Sequence, residues 1–133
     1  MKVVFSQSGE FTRAKGKEVM EAFLKTPDAA TATALFAHND DMALGAIQAL
    51  EEAGRKPGKD FLIVSIDAVR GAFDAMIAGK LNCTVECNPL IGVQVFDAVE
   101  AIAAKKDVPK RVVTREEVFE QAAAAKVLPT RKY

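Results

Sequence analysis

Short apolar runs rich in β-branched residues begin near positions 3, 33, 61 and 82, and a stretch with helical periodicity lies between each pair. The runs are VVFS (3–6), TALFA (33–37), FLIVSI (61–66) and LNCTVE (81–86). FLIVSI has no polar alternation, the mark of a strand buried on both faces. Between them, Val19, Met20, Phe23 and Leu24 share one face of a helix over 13–25, which Thr12 can N-cap. Met42, Leu44, Ala46, Ile47 and Leu50 mark a second helix over 41–53, with Gly54 where a C-terminal glycine belongs. Phe73, Met76 and Ile77 mark a third, and 90–106 is a fourth, strongly apolar one. This alternation is the βαβ signature. It predicts an α/β fold of at least four parallel strands, in a mainly parallel sheet with helices on both faces. RVVT (111–114) is a candidate fifth strand, and 115–133 reads as a tail rich in alanine and charge.

Whole-chain properties exclude several function classes. Eighteen basic residues balance eighteen acidic ones, without the basic excess that nucleic-acid binding usually needs. No apolar stretch approaches the length of a membrane span. Met1 is followed at once by KVVFSQSG, which reads as a strand start and not as a targeting segment. Cys83 and Cys87 lie four apart; at strand spacing that is about 13 Å, too far for a disulfide. With no further Cys or His beside them they form no zinc set, and they read as small buried residues. No phosphate-binding glycine loop or nucleophile elbow occurs. His38, the single histidine, has no partner nucleophile and reads as a loop-edge residue. Nothing here assembles an enzyme, and no cofactor or metal is implied.

FAHNDDMALG (36–45) concentrates polar groups where the second strand should end and the second helix begin. In open parallel sheets, ligands sit at the carboxyl ends of the strands. Asn39 occupies one such end, Asp67 follows the third strand, and Phe11 follows the first. An aromatic face, an amide and a carboxylate at one edge form the mixture that sugars demand. Hydroxyls both donate and accept, and a sugar's C–H face packs on a ring. A plainer reading stands beside this one: Asn39, Asp40 or Asp41 caps or solvates the following helix. Glu86, at the fourth strand's end, is a further candidate for the same cleft. An acidic pair resembling a phosphoacceptor site follows the wrong strand and lacks a late lysine.

The segments FSQSGEFTRAKGKEVMEAF, AHNDDMALGAIQALEEAG and KPGKDFLIVSIDAV resemble the C-terminal half of periplasmic sugar-binding proteins of ABC importers. The type is the ribose- and galactose-binding one, and the galactofuranose-binding branch shares the first two segments. The resemblance implies a partial periplasmic-binding-protein type I lobe over 1–88. Residues 89–133 would return to the other lobe and end in the tail. It implies that Phe11 packs on the sugar ring and that Asn39 and Asp67 bond its hydroxyls, while Asp40 and Asp41 cap and solvate the helix start. Cys87 stands where ribose-type proteins carry a glutamine ligand, and Arg13 matches an arginine at the cleft rim. The expected function is carriage of a monosaccharide, galactofuranose being a candidate, to a membrane permease from the periplasm. The alternative is the effector-binding core of a lactose-repressor-type regulator, which shares the fold. The resemblance also implies a fragment that lacks one lobe and the first units of the other. The apolar helix 90–106 and an open sheet edge then predict a homodimer or a domain-swapped pair.

Overall fold

The computed structural model describes residues 2–133. The elements in chain order are α1 (Arg13–Phe23), β1 (Ala34–Phe36), α2 (Asp40–Glu52), β2 (Leu62–Asp67), α3 (Arg70–Ile77), β3 (Cys83–Glu86), α4 (Gly92–Ala103), β4 (Val118–Glu120) and α5 (Ala124–Val127). The sheet order is β1-β2-β3-β4. β1, β2 and β3 are parallel, with Ala34 opposite Leu62 and Val64 opposite Cys83, whereas β4 is antiparallel to β3, with Phe119 opposite Thr84.

The α/β class and the mainly parallel sheet are as the alternation predicts, but three strand assignments change. Residues 3–6 form no strand. A strand exists only through a neighbour's backbone, and none of these residues enters a ladder; Phe5 instead lies with its ring 5.0 Å from Phe23 of α1. RVVT is likewise outside the sheet, and the last strand is VFE, because Phe119 can bury its ring against Phe73 of α3 at 5.2 Å. The sheet therefore has three parallel strands and not four.

Register and pleat place Leu35, Ile63, Ser65, Thr84 and Phe119 on one face. α2 and α3 cover that face, α1 packs on α2, and α5 packs on α3. The buried core there includes Leu50, Phe61, Ile63, Phe73, Met76 and Leu81. Each contributes about 1.5–3 kcal/mol of hydrophobic stabilisation. On the opposite face Phe36 and Leu62 remain 57% and 56% exposed.

α1 and α2 approach closely because two glycines permit it. A Cβ on Gly45 would lie 2.0 Å from the Arg13 carbonyl, and one on Gly16 would lie 2.5 Å from the Met42 carbonyl. Backbone thus meets backbone at both crossings, which draws the loop before α1 against the start of α2. α4 differs from the other helices. None of its residues is buried, and Phe96 is 70% exposed.

Candidate functional site

The carboxyl ends of β1 and β2 and the loop before α1 converge. Asn39 is the N-cap of α2: its Oδ1 accepts from the Met42 N–H at 2.9 Å. Its Nδ2 donates to the Phe11 carbonyl at 3.1 Å, a bond made possible by the close α1–α2 crossing. The cap and ligand readings of Asn39 are therefore compatible. One amide hydrogen and one oxygen lone pair remain for a ligand. Phe11 is exposed, and the chain there is left-handed, with φ of 51° at Glu10 and 55° at Phe11.

Asp67 ends β2 with φ 119°, and Ala68 follows at 62°. Of the five non-glycine residues with positive φ among those described, four are Glu10, Phe11, Asp67 and Ala68. Backbone of this kind costs on the order of 1–3 kcal/mol per residue and concentrates where geometry serves a ligand. The Asp67 carboxyl is raised above the ordinary aspartate value, first by burial and then by the negative charges of Asp40 and Asp41. The backbone N–H of Asp40 pulls the other way. Asp67 ends β2, the strand paired with β1, after which Asn39 follows. The structure thus brings Phe11, Asn39 and Asp67 to one end of the sheet.

The two acidic neighbours are not alike, and the expectation for Asp40 is overturned. Asp40 neither caps nor faces water; it is fully buried. It accepts from the hydroxyls of Ser65 and Thr84, the latter at 2.9 Å, and from the Val69 N–H at 2.9 Å. Burial raises its carboxyl despite these bonds. Thr84 in turn accepts from the Ala68 N–H at 3.2 Å. Asp40 therefore ties α2 to β2, β3 and the loop that carries Asp67. Asp41 does stay at the surface, where it meets Arg13 at 2.7 Å. A pair this exposed is worth at most about 1 kcal/mol.

Other assignments also move. Glu86 does not offer a free carboxylate to the cleft. It is buried against Arg131 and Tyr133 of the tail, two residues that no periodicity singled out. Burial acts to raise its carboxyl, but the hydrogen bonds from Tyr133 and Arg131 outweigh that and hold it below the ordinary value. Tyr133 is pushed up to about 12, by burial and then by its bond to Glu86. Cys83 and Cys87 are both free thiols, and Cys87 is exposed, not buried. His38 lies edge-on to Phe36 at 5.2 Å. Among the described residues no cluster of His, Cys, Asp and Glu could hold a metal ion, and no helix is long and apolar enough to cross a membrane.

Comparison with known proteins assigns this arrangement to a family. The periplasmic binding protein domain family matches residues 1–107. The chain belongs to that family. It is 47% identical over 113 residues to the galactofuranose-binding protein YtfQ of Escherichia coli (strain K12), covering 84% of this chain and 36% of that protein. Among solved structures, the binding protein of the arabinose ABC transporter from Shewanella sp. ANA-3, bound to α- and β-L-arabinofuranose, is 52% identical. It superposes with a TM-score of 0.92 over 98% of this chain and 44% of that one. A Mycobacterium smegmatis protein in complex with β-D-fucofuranose is 51% identical, with a TM-score of 0.93 over 99% of this chain and 43% of its own. The chain therefore spans less than half the length of these relatives.

Proposed function

We propose that this chain forms one wall of a furanose-sugar site in a periplasmic carrier that serves an ABC importer. The observation that carries this reading is the meeting of Phe11, Asn39 and Asp67 at one sheet end, with Phe11 and Asp67 held at positive φ. Phe11 packs on the sugar's C–H face, and Asn39 offers its remaining N–H and lone pair. Asp67 accepts from one or two hydroxyls as a charge-assisted partner. The three relatives above are named for, or bound to, five-membered ring sugars, which supports a furanose over a pyranose. Relatives named as transport and binding proteins favour carriage over catalysis or gene regulation. They also favour a periplasmic location and a membrane permease as partner.

The test is amide NMR of the chain titrated with L-arabinose to tens of millimolar, a range suited to weak binding. Shifts are expected at Phe11, Asn39 and Asp67. Shifts scattered elsewhere, or none, would overturn the reading.

Within the same reading, α4 belongs against the second lobe. Superposition over 98–99% of the chain includes this unburied helix and supports that view. Alone, its apolar surface (Val93, Phe96, Val99 and Ile102 are all exposed) favours pairing with a second copy. Light scattering should show a dimer at high concentration, and Phe96→Glu should shift it toward monomer. A wild-type chain that stays monomeric would remove this part of the proposal.

A further inference from the structure

The C-terminal tail returns to the same sheet end from behind. Arg131 donates to the Ala68 carbonyl through Nε at 3.2 Å and Nη2 at 2.9 Å. Its Nη1 donates to Glu86 Oε1 at 2.7 Å, and the Tyr133 hydroxyl donates to the same oxygen at 2.5 Å. The Arg131 and Glu86 side chains are only 8% and 9% exposed. The guanidinium carbon lies 4.4 Å from the Tyr133 ring centroid, 5.1 Å from Phe119 and 5.3 Å from Phe73. Such a planar cation among rings, bonded in a fork, is a task for arginine that lysine performs poorly. The Arg70 N–H closes the latch on the Tyr133 carbonyl at 3.0 Å.

What the fork grips is informative. Ala68 follows Asp67, and both have a positive φ although neither is glycine. L residues adopt this backbone only where neighbours impose it. Thr84 holds the Ala68 N–H and Asp40 holds the Val69 N–H. Arg131 holds the Ala68 carbonyl with two donors. Glu86 ends β3, directly before the segment that leads to α4. The tail therefore ties the Asp67 loop to the strand from which the chain leaves this lobe.

We propose that Arg131 is a positioning residue for the Asp67 carboxylate: the tail latch fixes the Asp67–Ala68 backbone and so aims the carboxylate at the ligand. The proposal rests on the sugar-site reading above. Loss of a purely stabilising ion pair would lower the melting point and leave Asp67 as it was.

The experiment compares wild type with Arg131→Ala by NMR, without sugar, at a temperature where α1 and α2 amide shifts show both folded. The expected result is amide exchange faster by about tenfold or more at Ala68 through Arg70, with α1 and α2 unaffected. The Asp67 carboxyl should also titrate closer to the ordinary aspartate value as its loop opens to water. If Arg131→Ala does not fold, Arg131→Lys decides, because it keeps a cation opposite Glu86 but lacks the fork. Unchanged exchange and unchanged Asp67 titration in the folded variant would overturn the proposal. L-Arabinose is then added to wild type. Asp67 signals that ignore the sugar would overturn the sugar reading, while the latch is decided by the sugar-free comparison.

Discussion

Asp40→Ala should destabilise the chain by about 3–5 kcal/mol, a large part of the 5–15 kcal/mol that holds a typical domain folded. The substitution removes the acceptor for three donors at once: the Ser65 and Thr84 hydroxyls and the Val69 N–H. Ser65 and Thr84 are fully buried, so water cannot replace the lost partner. Each buried donor left alone costs about 1–3 kcal/mol, partly relieved where a hydroxyl can rotate to another acceptor. Asp40→Asn keeps the shape and one acceptor oxygen, and should cost about half as much. Urea unfolding followed by far-ultraviolet circular dichroism is the measurement. A cost below about 1 kcal/mol for the alanine variant would show that the network is not held through Asp40.

The pH dependence gives the same prediction a second edge. The Asp40 carboxyl is raised in the folded chain, so the fold favours its protonated form. Relative to the unfolded chain, that contribution is fully present below the ordinary aspartate pKa. It is lost as pH rises through the raised value. Asp40→Asn cannot titrate, so its cost should be larger at acid pH and smaller near neutrality.

Asp40 also shows where reading the sequence stops. The start of α2 was legible to within one residue, because apolar periodicity and a polar cap are local signals. The fate of the second residue in NDD was not. Its partners lie 25 and 44 residues away, and nothing near Asp40 signals that Ser65 and Thr84 will face it. Residues 3–6 fail for the related reason that a strand is a property of a pair. VVFS has the right composition, but no neighbouring backbone pairs with it here. The tail was opaque because TRKY has no period. Arg131 matters only once Phe73, Phe119 and Glu86 have been brought together by β3–β4 pairing and α3 packing. The placement of Asn39 and Asp67 at one end followed from topology, since parallel strands send their carboxyl ends to one edge. Phe11, by contrast, follows no strand and reaches that end through the close α1–α2 crossing and its bond to Asn39.

The last expectation concerns affinity. The chain alone should bind a pentose or hexose no tighter than about millimolar. A chimera joining this chain to the part of the Shewanella arabinose-binding relative that it does not match should bind L-arabinose tighter by three or more powers of ten. A sugar enclosed between two walls owes its affinity to hydrogen bonds on both sides and to exclusion of water. The wall proposed here would offer a ring, part of an amide and one carboxylate. An opposite wall supplying about four or five further bonds, at roughly 1 kcal/mol each, accounts for that gain. Desolvation on closure then strengthens the bonds already made on this side. In the chimera, Asp67→Ala should cost on the order of 2 kcal/mol or more, because a charge-assisted bond is lost in a closed site. In the isolated chain the same change should weaken an already feeble titration and do little else. Calorimetry on the chimera and NMR titration of the chain measure both quantities. Micromolar binding by the chain alone would mean that Phe11, Asn39 and Asp67 belong to a complete pocket and not to half of one.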